Sequence, residues 1–292
     1  MSTVRTLVSP ATLARPRGRA VYWSVFCGVV LLFVLAFLFP VYWMATGAMK
    51  SPDEVARTPP TLAPRQWRLS GYTDAWRLMD LPEHLWNTVV QAAGAWLCQL
   101  VLCTAAAYAL SRLRPAFGRL ILGGILATLM VPAQALVVPK YLTVADLPLI
   151  HISLLNDPLA IWLPAAANAF NLYLLKRFFD QLPREVLEAA EIDGAGRLRT
   201  LWSVVLPMSR PVLGVVSIFA LVAVWQDFLW PLMVFSDTDE QPVSVALVQL
   251  SQNIQLTVLL AAMVIASIPM VALFLLFQRH IVAGISAGGT KG

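Results

Sequence analysis

Six long apolar runs constrain the fold of this chain more than any other feature of its sequence. They cover residues 21–39, 86–110, 120–139, 158–175, 212–235 and 256–277. An α-helix rises about 1.5 Å per residue, so about 20 residues cross the roughly 30 Å hydrocarbon layer of a bilayer. The runs lack the polar–apolar alternation of a membrane β-barrel. The sequence therefore predicts an all-α polytopic membrane protein with six transmembrane helices.

The composition excludes an ordinary soluble domain. Only 13% of the 292 residues are charged and 59% are hydrophobic, which leaves too few polar side chains to cover a water-exposed surface. Arginines precede the first run, as in a signal peptide, but the run has no small-x-small cleavage site and ends in the aromatic cluster "FPVYWM". Such a cluster is typical of a membrane interface. The first run is therefore predicted to be an uncleaved span.

The distribution of basic residues predicts the orientation. With six spans, both termini lie on the same side as segments 111–119 and 176–211, and that side holds 15 of the 21 Lys and Arg residues. The excess of Lys and Arg marks the cytoplasmic side. We therefore expect a multi-pass protein of the cell membrane with both termini in the cytoplasm. The net charge of +5 reflects this topology and does not imply a nucleic-acid partner.

Polar side chains inside apolar runs are candidate functional residues, because an unpaired polar group in lipid is costly. Asp227 is either an interfacial residue or part of a water-filled path, and the sequence leaves both open. Asn168 and Asn171 are three residues apart and are predicted to share a helix face. For the amides, hydrogen bonding between helices is the alternative to a pore role. The candidates for a pore or substrate path are Asn168, Asn171, Gln226 and Asp227, and the other amides in the runs are Gln91, Gln99 and Gln134.

Neither a cofactor nor a metal site is predicted from the residues. The three cysteines fall inside apolar runs and the three histidines have no ligand spacing, so small packing residues are the better interpretation of the cysteines. The chain has no phosphate-binding "GxxxxGK[ST]" loop. The pattern "GISAG" follows a predicted span, whereas a hydrolase nucleophile elbow follows a strand. No catalytic residue is predicted.

The segment 176–211 is predicted to form a helix, a turn and a second helix. Residues 184–193 are good helix formers, Pro183 suits a first helical turn, and Gly194 fits the position just after a helix end. The second stretch places Leu198, Leu201, Trp202 and Val205 at helical spacing. Small residues around the turn would let another protein approach closely. A surface hairpin that contacts only lipid headgroups is the alternative.

The hairpin carries the pattern E-A-A-x3-G-x9-I-x-L-P, with Val204 in place of isoleucine. This pattern resembles the signature of membrane subunits of ATP-binding-cassette (ABC) importers. Other segments resemble the shorter permease subunit of the carbohydrate-importing branch, so the resemblance covers nearly the whole chain. Where many relatives have Asn, this chain has Gln226. The segments are "FPVYWMATGAMK", "AAYALSRLR", "MVPAQALVVPKY", "LLNDPLAIWLP", "KRFFDQLPREVLEAAEIDGA", "WQDFLWPL" and "VAGISAGGTKG".

The resemblance implies a type I ABC importer permease fold and a transport subunit that is not itself an enzyme. It implies four kinds of partner: a second permease subunit, a dimer of cytoplasmic ATPase subunits, an extracytoplasmic solute-binding protein and a carbohydrate substrate. By the same resemblance the segment 183–207 couples this chain to the ATPase. The residues expected to couple are Glu188, Ala189, Ala190, Asp193, Gly194, Leu206 and Pro207.

The apolar runs and the basic residues divide the chain into expected segments, and the resemblance implies that the last of them lies near the ATPase. These are a cytoplasmic N-terminal segment 1–20, a first span 21–44, an extracytoplasmic loop 45–85, a permease core 86–281 with the coupling loop 176–211, and a cytoplasmic tail 282–292 near the ATPase. Two alternatives remain at this point. An ion-coupled secondary transporter is disfavoured because no internal repeat is visible, and a structural membrane anchor is disfavoured by the hairpin motif.

Overall fold

The protein, described by a computed structural model, is placed for residues 15–289, with side chains described for residues 15–278. All regular structure in this range is helical, as the periodicity of the apolar runs predicts. The α-helices are α1 (Pro16–Gly47), α2 (Pro52–Val55), α3 (Ser70–Leu78), α4 (Leu81–Tyr108), α5 (Gly118–Ala127), α6 (Val137–Ala145), α7 (Leu159–Ala166), α8 (Ala169–Asp180), α9 (Arg184–Ile192), α10 (Arg197–Thr200), α11 (Leu206–Met208), α12 (Arg210–Gln226), α13 (Leu229–Val234), α14 (Val243–Leu250) and α15 (Leu256–Gly289).

Several of these helices are joined or extended by short helical segments of other types. A π-helical segment, Ala109–Leu113, continues α4, and another, Leu201–Val205, joins α10 to α11. Helix α15 continues to Gly289, so it includes most of the expected tail 282–292. The side chains of that tail, and Arg5 of the N-terminal segment, lie outside the described residues.

Three helices among the described residues are long and apolar enough to cross a membrane: Pro16–Gly47, Leu81–Leu113 and Leu256–Gln278. Two bent pairs raise the number to five if each pair is one span. Segments Gly118–Met130 and Ala133–Ala145 meet at 101°, and segments Arg197–Met208 and Arg210–Gln226 meet at 83°. The protein is therefore a multi-span helical protein, and the count of six spans stays a prediction.

The fourth and fifth apolar runs are interrupted helices. The fourth run breaks between α7 and α8 at Ala167 and Asn168, and the fifth breaks between α12 and α13 at Asp227 and Phe228. Backbone groups freed at membrane depth need partners, which limits such breaks to places covered by protein or water. The thiol of Cys103 donates to the carbonyl oxygen of Ala166 at 3.4 Å. Apolarity alone does not reveal these breaks.

The backbone contacts divide the chain into two compact units. The first comprises residues 1–73 and 255–264, and the second comprises residues 74–254 and 265–292. In the first unit Gly71 lies so close to the chain that a Cβ atom there would be 2.4 Å from the carbonyl oxygen of Ala48. The Tyr72 hydroxyl donates to the carbonyl oxygen of Ala45 at 3.1 Å. These contacts fold the segment after α1 back onto the end of that helix.

The second unit contains the main buried cluster, which brings together α4, α8, the hairpin and α12. Apolar side chains from all four fill it, so the hairpin is part of the packed interior at its base. The buried members are Cys103, Ala107, Tyr108, Leu172, Leu175, Phe179, Leu182, Leu201, Val205, Val212 and Val216.

The polar side chains at the start of α4 hold the loop that precedes α14. Gln91 Nε2 donates to the carbonyl oxygen of Glu240 at 3.0 Å, and the Thr88 hydroxyl accepts from the amide of Val243 at 2.9 Å. Hydrogen bonding between helices is one of the two roles that the sequence leaves open for Gln91, and its partner Glu240 belongs to the short 3-10 helical segment Thr238–Glu240. Buried amides of this kind are stabilising because their partners would otherwise be unsatisfied.

Helices α4 and α7 pack closely at Gly94. A Cβ atom at Gly94 would lie 2.0 Å from the Trp162 ring. We expect Gly94→Ala to lower the free energy of unfolding by about 1–3 kcal/mol, as overpacking generally does. The check is the melting temperature of the purified protein in detergent. Gly123→Ala is the matched control because the structure, where it is described, has nothing within 4 Å of the Cβ position of Gly123. An equal response of both variants would contradict close packing at Gly94.

Candidate coupling hairpin and translocation cavity

Helix α9 ends in a glycine-dependent cap, as its sequence predicts. The amide of Gly194 donates to the carbonyl oxygen of Glu191 at 3.0 Å, and the amide of Ala195 donates to the carbonyl oxygen of Ala190 at 2.9 Å. This pair of bonds is a Schellman motif, and it requires the residue after the cap to be left-handed. Gly194 has a φ of 75°, which a glycine adopts without a Cβ clash. The predicted helix end at Gly194 is confirmed.

The exposed tip of the hairpin combines small and apolar side chains. Glu188, Ala189, Asp193 and Gly194 are exposed, and none of residues 15–278 contributes a neighbour within 4 Å of a Cβ position at Gly194. Ile192 is 86% exposed and was not among the residues expected to couple. A helix end with bare backbone and a projecting apolar side chain suits insertion into a groove on another protein.

The second half of the hairpin is helical from Arg197 to Met208, but its apolar residues do not all face one way. Leu201 and Val205 are buried, whereas Leu198 and Trp202 are exposed, Trp202 by 69%. The expected single stripe is therefore only half buried. The stripe consists of two i, i+4 pairs. Leu201 and Val205 form the side of the stripe that faces the core, and Leu198 and Trp202 form the side that faces away from it. Leu198 and Trp202 thus extend the exposed apolar surface of the tip.

The base of the hairpin packs into the main buried cluster. Leu201 and Val205 are members of that cluster, and Leu187 and Leu206 pack against it. Leu206, one of the residues expected to couple, therefore helps to pack the hairpin against the cluster. Its neighbour Pro207 is exposed. Burial of two aliphatic side chains and partial burial of two more stabilise the hairpin against the helices that carry it.

Two hydrogen bonds to backbone carbonyls also fix the hairpin. The Tyr108 hydroxyl donates to the carbonyl oxygen of Arg197 at 3.0 Å. Arg112 donates through Nη2 to the carbonyl oxygen of Leu182 at 3.0 Å. Both donors belong to the end of α4 and its π-helical extension, so these bonds attach the hairpin to that long helix.

A polar cluster around Asp180 completes the attachment. The Ser111 hydroxyl donates to Asp180 Oδ1 at 2.7 Å, and Lys176 Nζ donates to Asp180 Oδ2 at 2.7 Å. Burial alone would raise the pKa of Asp180, but these hydrogen bonds and the charges of Lys176 and Arg112 hold it below its usual value. Asp180 is therefore ionised at neutral pH and links α8 to the end of α4.

The interruptions of the fourth and fifth runs open onto one cavity of about 190 Å³ in the second unit. Asn168 lies at the first interruption and Asp227 at the second, and both line the cavity. Gln99 of α4 and Lys140 of α6 also line it. Broken helices that bring polar groups to a cavity are typical of substrate and ion sites in membrane transporters.

Trp230 contacts both charged side chains of the cavity, Lys140 and Asp227. Lys140 Nζ lies 3.7 Å from the centroid of the Trp230 ring, and the Asp227 carboxylate accepts from the Trp230 amide at 3.3 Å. The indole N–H donates to the carbonyl oxygen of Ala160 at 3.0 Å. The tryptophan is therefore held in place, its ring face attracts the ammonium group, and the opposite charges of Lys140 and Asp227 attract each other.

Gln99 supplies an unused donor to this cavity. Its side chain is buried, and Nε2 has no hydrogen-bond partner within the described part of the chain. A buried unpaired donor is costly and uncommon in folded proteins. Gln99 also lines the cavity, which makes its amide a candidate partner for a polar ligand.

The structure separates the four residues that the sequence groups as pore candidates. It brings Asn168 and Asp227 to one cavity, but Asn171 and Gln226 are not among the residues that line it. The expected shared face of Asn168 and Asn171 is wrong, because Asn168 caps α8 and its side chain accepts from the amide of Asn171 at 3.0 Å. The sequence does not mark Lys140 as a pore residue, because it is simply a charged residue that follows an apolar run.

The sequence pattern of a known family covers most of the chain. The family described as "Binding-protein-dependent transport system inner membrane component" matches residues 100–287. The chain belongs to this family. It is therefore a multi-pass membrane subunit of a transport system and not itself an enzyme, and it works with a solute-binding protein, a second permease subunit and separate ATPase subunits.

Relatives of this permease in several bacteria carry related names. It is 30% identical over 264 residues to the diacetylchitobiose uptake system permease protein of Streptomyces coelicolor, covering 89% of this chain and 86% of the relative. It is 30% identical over 273 residues to the sn-glycerol-3-phosphate transport system permease protein of Yersinia enterocolitica, covering 90% and 95%. It is 32% identical over 279 residues to the sulfoquinovosyl glycerol transport system permease protein of Agrobacterium fabrum, covering 92% and 96%.

Solved structures confirm the fold of this permease. It matches a chain of a bacterial ABC transporter involved in the import of the acidic polysaccharide alginate, with a TM-score of 0.79, 23% identity and coverage of 91% of this chain and 98% of the other. A chain of a bacterial alginate ABC transporter in complex with an alginate pentasaccharide-bound periplasmic protein gives a TM-score of 0.64 at 10% identity, with 89% and 93% coverage. The type I ABC importer permease fold is thus confirmed, and nothing supports a secondary transporter.

Proposed function

We propose that this permease forms half of the translocation pore of an ATP-driven, binding-protein-dependent importer, and that the hairpin 183–207 couples it to the ATPase. One observation carries the proposal: the tip of the hairpin is exposed and bare, whereas its base is packed into the main buried cluster. A groove on the ATPase that binds the tip would move α4 and α8 together. Alternating access then follows from the movement of the ATPase subunits.

The substrate class that we propose is a carbohydrate or a sugar-like polyol derivative. By their names, the relatives above belong to systems for diacetylchitobiose, sn-glycerol-3-phosphate and sulfoquinovosyl glycerol. The cavity offers matching chemistry, since Gln99, Asn168, Lys140 and Asp227 supply hydrogen-bonding groups for hydroxyls. We assign four residues to the substrate path: Asn168, Asp227, Lys140 and Gln99.

We also propose the orientation that the basic residues predict, with both termini and the hairpin in the cytoplasm and the loops 45–85 and 236–255 outside. The hairpin then faces the ATPase and the loop held by Gln91 faces the solute-binding protein. The permease core extends over residues 86–281 in this arrangement.

Glu188 is exposed on α9, so its replacement tests docking without disturbing the fold. We expect Glu188→Ala to weaken binding of the ATPase about fivefold, a loss of about 1 kcal/mol, because a carboxylate here would meet a basic group of the partner. The measurement is the affinity of the purified permease complex for its ATPase subunit, with ATPase stimulation by substrate-loaded binding protein as a second readout.

Glu185→Ala is the matched control, since Glu185 is exposed on the same helix and lies outside the E-A-A motif. This control is expected to bind the ATPase with nearly normal affinity. Unchanged affinity and unchanged ATPase stimulation in the Glu188 variant would contradict the docking role of that carboxylate.

A further inference from the structure

A second cavity, of about 810 Å³, lies where the extension of α4 turns into α5. Its charged lining is strongly basic, with five cationic side chains against one carboxylate. Those side chains are Arg112, Arg114, Arg119, Lys176, Arg184 and Asp180. This cavity is separate from the substrate path and from the exposed tip of the hairpin, although Arg112, Lys176 and Asp180 also attach the hairpin at its base.

The single carboxylate does not neutralise the cavity. Asp180 already pairs with Lys176 at 2.7 Å and accepts from Ser111. Within residues 15–278, no carboxylate lies within ion-pair distance of Arg114, Arg119 or Arg184. Three guanidinium groups thus share one cavity with their charges uncompensated, which favours an anionic ligand.

Two further observations point to an anion at this place. Arg112 Nε is buried and has no hydrogen-bond partner in the described part of the chain, although Nη2 of the same group donates to Leu182. The ten-residue helix α5 begins here, and Phe117 at its N-cap position provides no side-chain hydrogen bond to its first turn. The N-terminus of a helix attracts phosphate through its free N–H groups and its dipole.

Apolar side chains beside the cavity identify the anion as part of a lipid. Phe117 is 72% exposed and Leu120 is 74% exposed, and both line the cavity. Leu120 begins the third apolar run, so the cavity lies at the predicted membrane boundary on the basic, cytoplasmic side. A soluble anion makes no use of exposed apolar side chains, whereas a phospholipid presents a phosphate and acyl chains at this depth.

We propose that this cavity binds the phosphate headgroup of an anionic glycerophospholipid of the inner leaflet, with Arg114, Arg119 and Arg184 around the phosphate and Phe117 and Leu120 against the acyl chains. Basic pockets between helices at the cytoplasmic face are known sites for acidic lipid headgroups. The bound lipid would connect the start of α5 to Arg184, the first residue of α9.

The test is native mass spectrometry of the purified full-length chain titrated with dioleoylphosphatidylglycerol, dioleoylphosphatidylcholine or inorganic phosphate. Phosphatidylglycerol is expected to bind at a saturable site, phosphatidylcholine much more weakly, and inorganic phosphate to displace the lipid only at high concentration. The variant Arg114→Gln/Arg119→Gln is expected to lose about 30-fold in affinity for phosphatidylglycerol, which corresponds to roughly 1 kcal/mol for each of two basic residues near an anionic surface.

Two control variants separate the cavity from general positive charge. Arg197→Gln/Arg199→Gln removes two exposed cationic side chains that do not line the cavity, and it is expected to bind phosphatidylglycerol as the unmodified chain does. Arg114→Lys/Arg119→Lys keeps the charge and is expected to retain most of the affinity. Equal binding of the two phospholipids, equal losses in both Gln pairs, or displacement by millimolar phosphate would each overturn the proposal.

Discussion

Replacing Gly194 by leucine is expected to abolish ATP-driven uptake while the protein still inserts into the membrane. A leucine at a φ of 75° costs about 1–2 kcal/mol, because the left-handed conformation brings Cβ against the backbone. The same side chain would project from the bare tip into the space that a docked ATPase needs. Since nothing in the described part of the chain lies within 4 Å of that Cβ position, the clash would be with the partner. The measurements are uptake of the cognate solute and co-purification of the ATPase.

Two variants serve as controls for Gly194→Leu. Gly194→Asn tests the conformation, because asparagine tolerates left-handed backbone better than other residues, and we expect it to retain more coupling. Gly196→Leu adds the same side chain two residues later, where φ is −67° and the surroundings are equally open. The proposed role of Gly194 would be wrong if its leucine variant bound the ATPase normally and supported normal uptake.

The second large effect is expected from the two charges of the cavity. Lys140→Gln or Asp227→Asn alone should reduce uptake about tenfold or more, because each leaves an unpaired charge in a partly desolvated cavity. The double variant Lys140→Gln/Asp227→Asn should transport better than either single variant, since it removes both charges together. Uptake rates normalised to the amount of permease in the membrane provide the measurement.

Gln226→Ala is the matched control for the cavity variants. Gln226 is adjacent to Asp227 in the chain, but it is exposed and is not among the residues that line the cavity. We expect near-normal uptake for this variant. Independent effects of Lys140 and Asp227, in which the double variant loses the product of the two single losses, would show that the charges do not act as a pair.

The hairpin shows how far local sequence chemistry reaches. The end of α9 at Gly194 could be predicted because a Schellman cap involves a few consecutive residues and needs a left-handed residue. The division of Leu201 and Val205 from Leu198 and Trp202 could not, because both pairs fit one helical period. Only the position of the buried cluster decides which edge of the helix faces inward. The exposed Ile192 was missed for the same reason.

The cavity shows where sequence reasoning ends. Asn168 and Asp227 stand out in the sequence as polar residues inside apolar runs, but so do Asn171 and Gln226, and no periodicity separates the two pairs. Lys140 lies outside the predicted runs and shares the cavity with Asp227 only because α6 packs against α13, the helix that carries Trp230. Contacts between residues so distant in sequence depend on how helices pack and where they break.

The sequence by itself determined that this chain is helical and embedded in a membrane, that its basic segments favour one orientation, and that a glycine-capped helix stands in segment 176–211. These properties follow from composition, periodicity and short-range backbone chemistry, which are local. The tertiary structure alone decided which helices break, which polar residues share a cavity, and which hairpin residues are buried in the core and which are exposed. Those outcomes depend on long-range packing, where the helices compete for the same buried volume and each break needs a partner for its freed backbone groups.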